Sequence, residues 1–177
     1  MTIESSAPEK KRPRRPELGI DWHPQQLPEN TSVRNVPLRT ADGAAVGGTL
    51  YVRGTPRTVV CLMHPREFLG THYLVPGLVA GGVAVWTQGA RSVGNDLRLE
   101  HEQVIIDAAA GIDFLKTQNF DRIVLIGNSG GAGLYSYYLQ QAQLAPADRL
   151  AVSPTGRQTG LDAVSMPLVD AMVYLAP

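Results

Sequence analysis

Ser129 stands in the segment Gly127-Asn128-Ser129-Gly130-Gly131, directly behind the apolar run Ile123-Val-Leu-Ile126. An apolar strand that runs straight into such a segment lifts a serine out of a sheet on a tight strand-to-helix turn. Gly127 and Gly131 lack the β-carbons that would collide where strand folds back against helix. The hydroxyl is then presented outward at the carboxyl end of a strand, where it can act as a nucleophile. A glycine-rich turn whose serine only caps the helix is the plainer alternative. Nucleotide binding is a poor fit, because the dinucleotide fingerprint needs glycine where Ser129 and Ala132 stand and no Gly-Lys-Ser/Thr is present.

The surrounding chain supplies the elements such a turn needs. Tyr135, Tyr138, Leu139 and Ala142 fall on one helical face after Ser129. Upstream, Thr58–Met63, Val83–Thr87 and Arg122–Ile126 read as strands alternating with helical segments, the pattern of a parallel sheet with crossover helices. Val33–Arg53 alternates around Asp42-Gly43 and predicts a β-hairpin at one end of the sheet. A helix is expected over 71–80, with Pro76 near its start. In the next helix Ile105, Ala108, Ala109, Ile112 and Leu115 form the apolar stripe, with Asn95 or Asp96 as its cap and Glu100 and Glu102 at its positive end. Residues 144–167, rich in Pro, Ser and Gly, predict a loop or excursion, and Ala171–Ala176 a further strand.

With 177 residues, 44% of them hydrophobic, and zero formal net charge, the chain can build one ordinary globular core. No overall field points to nucleic acid or to a membrane, and no apolar run reaches the roughly 20 residues that span a bilayer. A cytoplasmic location is expected. Residues 1–31 read as a disordered lead-in, and its basic run of Lys10, Lys11, Arg12, Arg14 and Arg15 as a solvated tail. The lone Cys61, in Val59-Val-Cys-Leu-Met63, reads as a small buried hydrophobe. Neither metal-ligand spacing nor a cofactor motif is present among Cys61, His23, His64, His72 and His101.

Hairpin, strand, helix, strand, helix, strand, Gly-Asn-Ser-Gly-Gly and a further helix together resemble the first half of the α/β-hydrolase fold, over residues 32–177. Met63-His64-Pro65 at the end of a strand is similar to the His-Gly segment that opens the oxyanion loop in that superfamily. The resemblance implies acyl transfer, with Ser129 attacking a carbonyl of a small acyl substrate and water releasing the acid. It also implies one oxyanion donor at the Gly130 N–H, a second at the Arg66 N–H with Glu67 next, since Pro65 has none, and His64 as support for the loop. A local base from His64 or His72 is the lesser alternative. Arg91, Asn95 and Asp96 follow a strand end where ligands bind in α/β proteins, though helix capping and local pairing suit them better. Tyr73, Trp86, Tyr135 and Tyr138 read as core before pocket wall.

No histidine follows Ser129. The superfamily order of Ser, acid, His therefore predicts that acid and base lie beyond residue 177, that the fold is truncated here, and that this segment alone hydrolyses little. Two other classes compete: a non-catalytic binding or interaction protein that keeps the elbow, and an interaction fragment whose open sheet edge pairs into a homo-oligomer.

Overall fold

A computed structural model describes residues 26–175, so the basic run Lys10–Arg15 and most of the expected lead-in lie outside the described residues. Ordered contacts begin ahead of the boundary at residue 32. Leu27 packs on the smaller of two apolar clusters, and Thr31 donates through both its N–H and its hydroxyl to Pro28 O.

Six strands form one sheet: β1 (Ser32–Arg39), β2 (Ala45–Val52), β3 (Thr58–Met63), β4 (Ala84–Gly89), β5 (Arg122–Asn128) and β6 (Ala171–Leu175). Their spatial order is β1-β2-β4-β3-β5-β6. The hairpin strands β1 and β2 are antiparallel, and β2 meets β4 antiparallel with Gly47 opposite Gly89. β4, β3, β5 and β6 run parallel, which requires crossovers between them. Helix α1 (Leu74–Ala80) links β3 to β4, α2 (His101–Lys116) links β4 to β5, and α3 (Gly130–Ala142) starts the crossover from β5 to β6.

Side-chain alternation along β3 shows why the sheet is covered on both faces. Val59, Cys61 and Met63 point into the larger cluster with Trp86, Ile105, Leu115, Leu125, Leu134 and Tyr138 under α2 and α3. Val60 and Leu62 point the other way, with Val75, Val79 and Val85 under α1. Successive side chains of a strand face opposite sides, so a continuous apolar run implies burial from both. Cys61 is 1% exposed, and burial pushes its thiol well above the ordinary range.

Several boundaries differ from those expected. α1 begins at Leu74, and Pro76 stands in its first turn, where a missing N–H costs no helical bond. α2 begins at His101 behind an extended Glu100. The cap position is Glu100, because Asn95 lies in a turn in which its N–H donates to Ser92 O and Arg98 N–H donates to Asn95 O, and Asp96 begins a short 3-10 helix, Asp96–Arg98. The excursion over 144–167 contains two short 3-10 turns, Pro146–Asp148 and Leu161–Ala163. Arg149 pins it, donating to Leu161 O at 2.9 Å and Val164 O at 2.6 Å. Among the described residues no helix is long and apolar enough to cross a membrane.

Candidate active site

Ser129 has φ 50° and ψ −127°, a backbone region that a residue with a side chain enters at a cost of about 1–3 kcal/mol. The neighbouring glycines make that geometry possible. A β-carbon on Gly127 would lie 2.5 Å from Ala132 Cα, and one on Gly131 would lie 2.4 Å from Met63 O. Strand β5 can thus turn back on α3, and α3 can sit against the end of β3, only with hydrogen at both positions. Ser129 and Gly130 are exposed, while Leu134, Tyr135 and Tyr138 anchor α3 in the core. Ser129 N–H donates to Leu175 O at 3.2 Å, and Ser129 O accepts from Ala132 N–H at 2.9 Å. Gly130 N–H stands at the first helical position, so it has no acceptor within α3 and lies at the positive end of the helix dipole.

The loop that follows β3 reaches the same place. A β-carbon on Gly130 would fall 2.7 Å from His64 Nε2, so this ring lies directly against the residue after Ser129. His64 Nδ1 accepts two backbone N–H groups, from Arg66 and from Glu67, each at 3.1 Å. The Arg66 N–H expected to face an oxyanion is therefore turned onto the imidazole, as is that of Glu67. A neutral ring that accepts at Nδ1 carries its proton on Nε2. Burial lowers the pKa of His64 from its ordinary value, which keeps the ring neutral at pH 7. In this state Nε2 has no lone pair with which to take a proton from Ser129, so the ring is not poised as its base. His72 is likewise committed: its Nδ1 accepts from Leu74 N–H at 3.3 Å, its ring stacks on Tyr73, and burial lowers its pKa.

Two side chains that the sequence does not single out hold this loop, and a third, Asp107, holds the segment after β4. Ser92 Oγ donates to Pro65 O, tying the segment after β4 to the segment after β3. Tyr51 Oη donates to Gly70 O at 2.6 Å. Asp107 is fully buried in α2 and receives Arg91 N–H and Arg91 Nε, both at 2.8 Å. Arg91 also bonds both oxygens of Asp42 in the hairpin turn. The guanidinium is thus spent on local pairing and does not line a binding site as a free cation. Desolvation lifts Asp107 above the ordinary carboxylate range against the pull of Arg91, whereas the Arg91 hydrogen bonds hold Asp42 down to about 2.

Of the aromatic residues, Trp86, Tyr135 and Tyr138 belong to the core, and Tyr138 Oη donates to Pro167 O at 2.7 Å. Tyr73 is different. It is 43% exposed, and its Oη accepts from Asn128 Nδ2, next to Ser129 in the chain. An open cleft of about 630 Å³ lies between the start of β2, Gly89, Ala90, Val93 and the half-exposed Phe68. A more polar one of about 710 Å³ lies among Arg91, Ser92, Asn95, Arg98 and Arg157. Neither is lined by Ser129 or His64. Among the described residues no three His, Cys, Asp or Glu side chains gather as metal ligands.

No family model matches the chain, and no curated protein matches it. Solved structures do. The Pyrococcus furiosus esterase Pf2001 superposes with a TM-score of 0.55 at 22% identity, over 70% of this chain and 49% of that one. Brefeldin A esterase, a bacterial homologue of human hormone sensitive lipase, gives 0.53 at 14% identity over 62% and 35%. An acylaminoacyl peptidase of Pyrococcus horikoshii gives 0.55 at 19% identity over 66% and 22%. The chain spans about half the length of the first of these esterases. Strand order, antiparallel β2, the strained serine between β5 and α3, and these likenesses together give one result: the chain has the α/β-hydrolase fold.

Proposed function

We propose that the chain carries the nucleophile of a serine hydrolase that cleaves a carboxylic ester, or a related acyl bond, of a small-molecule substrate. Ser129 Oγ attacks the carbonyl carbon as its proton passes to a general base, giving a tetrahedral intermediate whose oxygen bears the charge. Gly130 N–H meets that charge at the start of α3 without having to reorganise. Collapse expels the alcohol and leaves an ester on Ser129, which water then hydrolyses to the acid. His64 and His72 accept backbone N–H groups through Nδ1, which supports placing the base and its acid partner beyond residue 177. Residues 1–177 alone then turn over little substrate.

The observation that carries this reading is the positive φ of Ser129 between a buried strand and a helix start. Strain of this kind persists where a fold enforces it, and it clusters at functional sites. A fluorophosphonate probe applied to the full protein should label Ser129 and fail on Ser129→Ala. If Ser129 stays unlabelled under conditions that label a control hydrolase, the non-catalytic binding protein becomes the better account.

A further inference from the structure

Only one ring nitrogen of His64 is spoken for. Nδ1 takes the N–H groups of Arg66 and Glu67. The proton therefore sits on Nε2, and Nε2 is the atom a β-carbon on Gly130 would touch, at 2.7 Å. Among the described residues Tyr137 Oη is the sole buried side-chain polar atom without a partner. His64 Nε2–H, for which the structure holds no acceptor, is thus a donor that opens to the surface beside Gly130. The ring is fixed from below by the two amides, and its loop is fixed by Ser92 at Pro65 and by Tyr51 at Gly70. A donor held this firmly needs no reorganisation when charge develops next to it.

We infer that the His64 side chain is itself a catalytic residue, its Nε2–H forming the oxyanion hole together with Gly130 N–H. This assignment rests on the serine hydrolase reading above. It gives the Arg66 and Glu67 amides an indirect role: they fix the tautomer and polarise the ring and do not touch the substrate. No proton changes hands in the step. The ring stays neutral and donates one hydrogen bond to the oxygen that was the carbonyl of the substrate.

Two substitutions separate donation from loop support. In His64→Gln the amide nitrogen can stand where Nε2 stood, but the acceptor for the loop is lost. In His64→Asn the amide oxygen can stand where Nδ1 stood, but the donor is lost. The measurement is the second-order rate of Ser129 phosphonylation by a fluorophosphonate on the full protein, with thermal melting as the check on folding. Donation predicts a loss of about 100- to 1,000-fold in His64→Asn and within about tenfold in His64→Gln, the size seen when one oxyanion donor is removed. The reverse order, equal losses, or no loss in either variant would overturn the inference. Absence of labelling in the wild type would instead overturn the hydrolase reading itself. A second readout needs no variant: with ¹⁵N-histidine, the His64 Nε2–H proton should shift downfield when Ser129 is phosphonylated, and an unmoved resonance refutes donation.

Discussion

Gly131→Ala would place a methyl group 2.4 Å from the carbonyl oxygen of Met63, where contacts below 3.0 Å force something to shift. Both partners are main chain, so α3 would have to withdraw from β3 by at least about 0.6 Å. Overpacking of this kind costs about 1–3 kcal/mol, and replacing a helical glycine by alanine returns about 0.5–1. The net loss of about 0–2.5 kcal/mol corresponds to a fall in melting temperature of at most about 10 °C for a protein of this size. Chemistry should suffer far more, because α3 carries Gly130 and the contact sets its distance from the loop after β3. Displacement of reacting groups by about 1 Å costs on the order of 100-fold. Phosphonylation of Ser129, followed beside melting temperature, should therefore slow by about 10- to 100-fold while the fold survives. Gly133→Ala is the control: it lies in the same helix with nothing within 4 Å of the added carbon. It should stabilise by about 0.5–1 kcal/mol and leave the rate unchanged. A Gly131→Ala protein that is labelled as fast as the wild type would refute the view that the contact between α3 and β3 aligns the site.

Ser129→Gly should abolish labelling and yet raise stability by about 1 kcal/mol in denaturant titrations, since glycine accepts positive φ without strain. Asp107→Asn leaves the half-buried guanidinium of Arg91 with one charged partner in place of two, and urea melts should show a loss of up to about 3 kcal/mol. The Asp42 carboxyl, lowered by its hydrogen bonds from Arg91, favours the folded state above 3.8, and that contribution is lost as pH falls through about 2. Asp42→Asn should flatten the thermal-stability curve across that window. Burial holds His72 neutral, so its contribution is complete above pH 6.5 and fades as pH drops through the lowered pKa. Melting temperature should decline below pH 6.5, and less steeply in His72→Asn, whose side-chain oxygen can still accept from Leu74 N–H.

The tight turn from β5 into α3 at Ser129 was legible because its glycines are required locally. Gly127 and Gly131 answer clashes within a few residues or with the adjacent strand, and the apolar run before them has one structural solution. β3 and β5 could be read for the same reason, as runs buried on both faces. What lay hidden depends on contacts distant in the chain. Asp107 interrupts the apolar surface of α2, which marks it as unusual, but its partner Arg91 and the link from Arg91 to Asp42 exist only once the hairpin is folded beside β4. Ser92 and Tyr51 carry no signal of their own, since any serine or tyrosine can reach a carbonyl. The expected donor Arg66 was misplaced because the sequence cannot tell where a loop amide points. It was chosen as the first N–H after Pro65, and the ring of His64 beneath the loop claims that amide first.

The pairing of β5 with β6 does not end where the strands end. Its last rung joins Leu175 O to the amide of Ser129 itself. β6 has β5 as its sole strand neighbour among the described residues, and Val173 and Tyr174 are 46% and 57% exposed. Its tether at the other end is Asp170, which exchanges hydrogen bonds with Ile123 through N–H and carboxylate. The backbone of Ser129 is thus latched by a peripheral ribbon and not by the deep interior. Deuterium uptake at the Ser129 amide gauges how firmly that ribbon is seated, and unzipping β6 would slacken the turn at Ser129 while the apolar layers beneath it stayed shut.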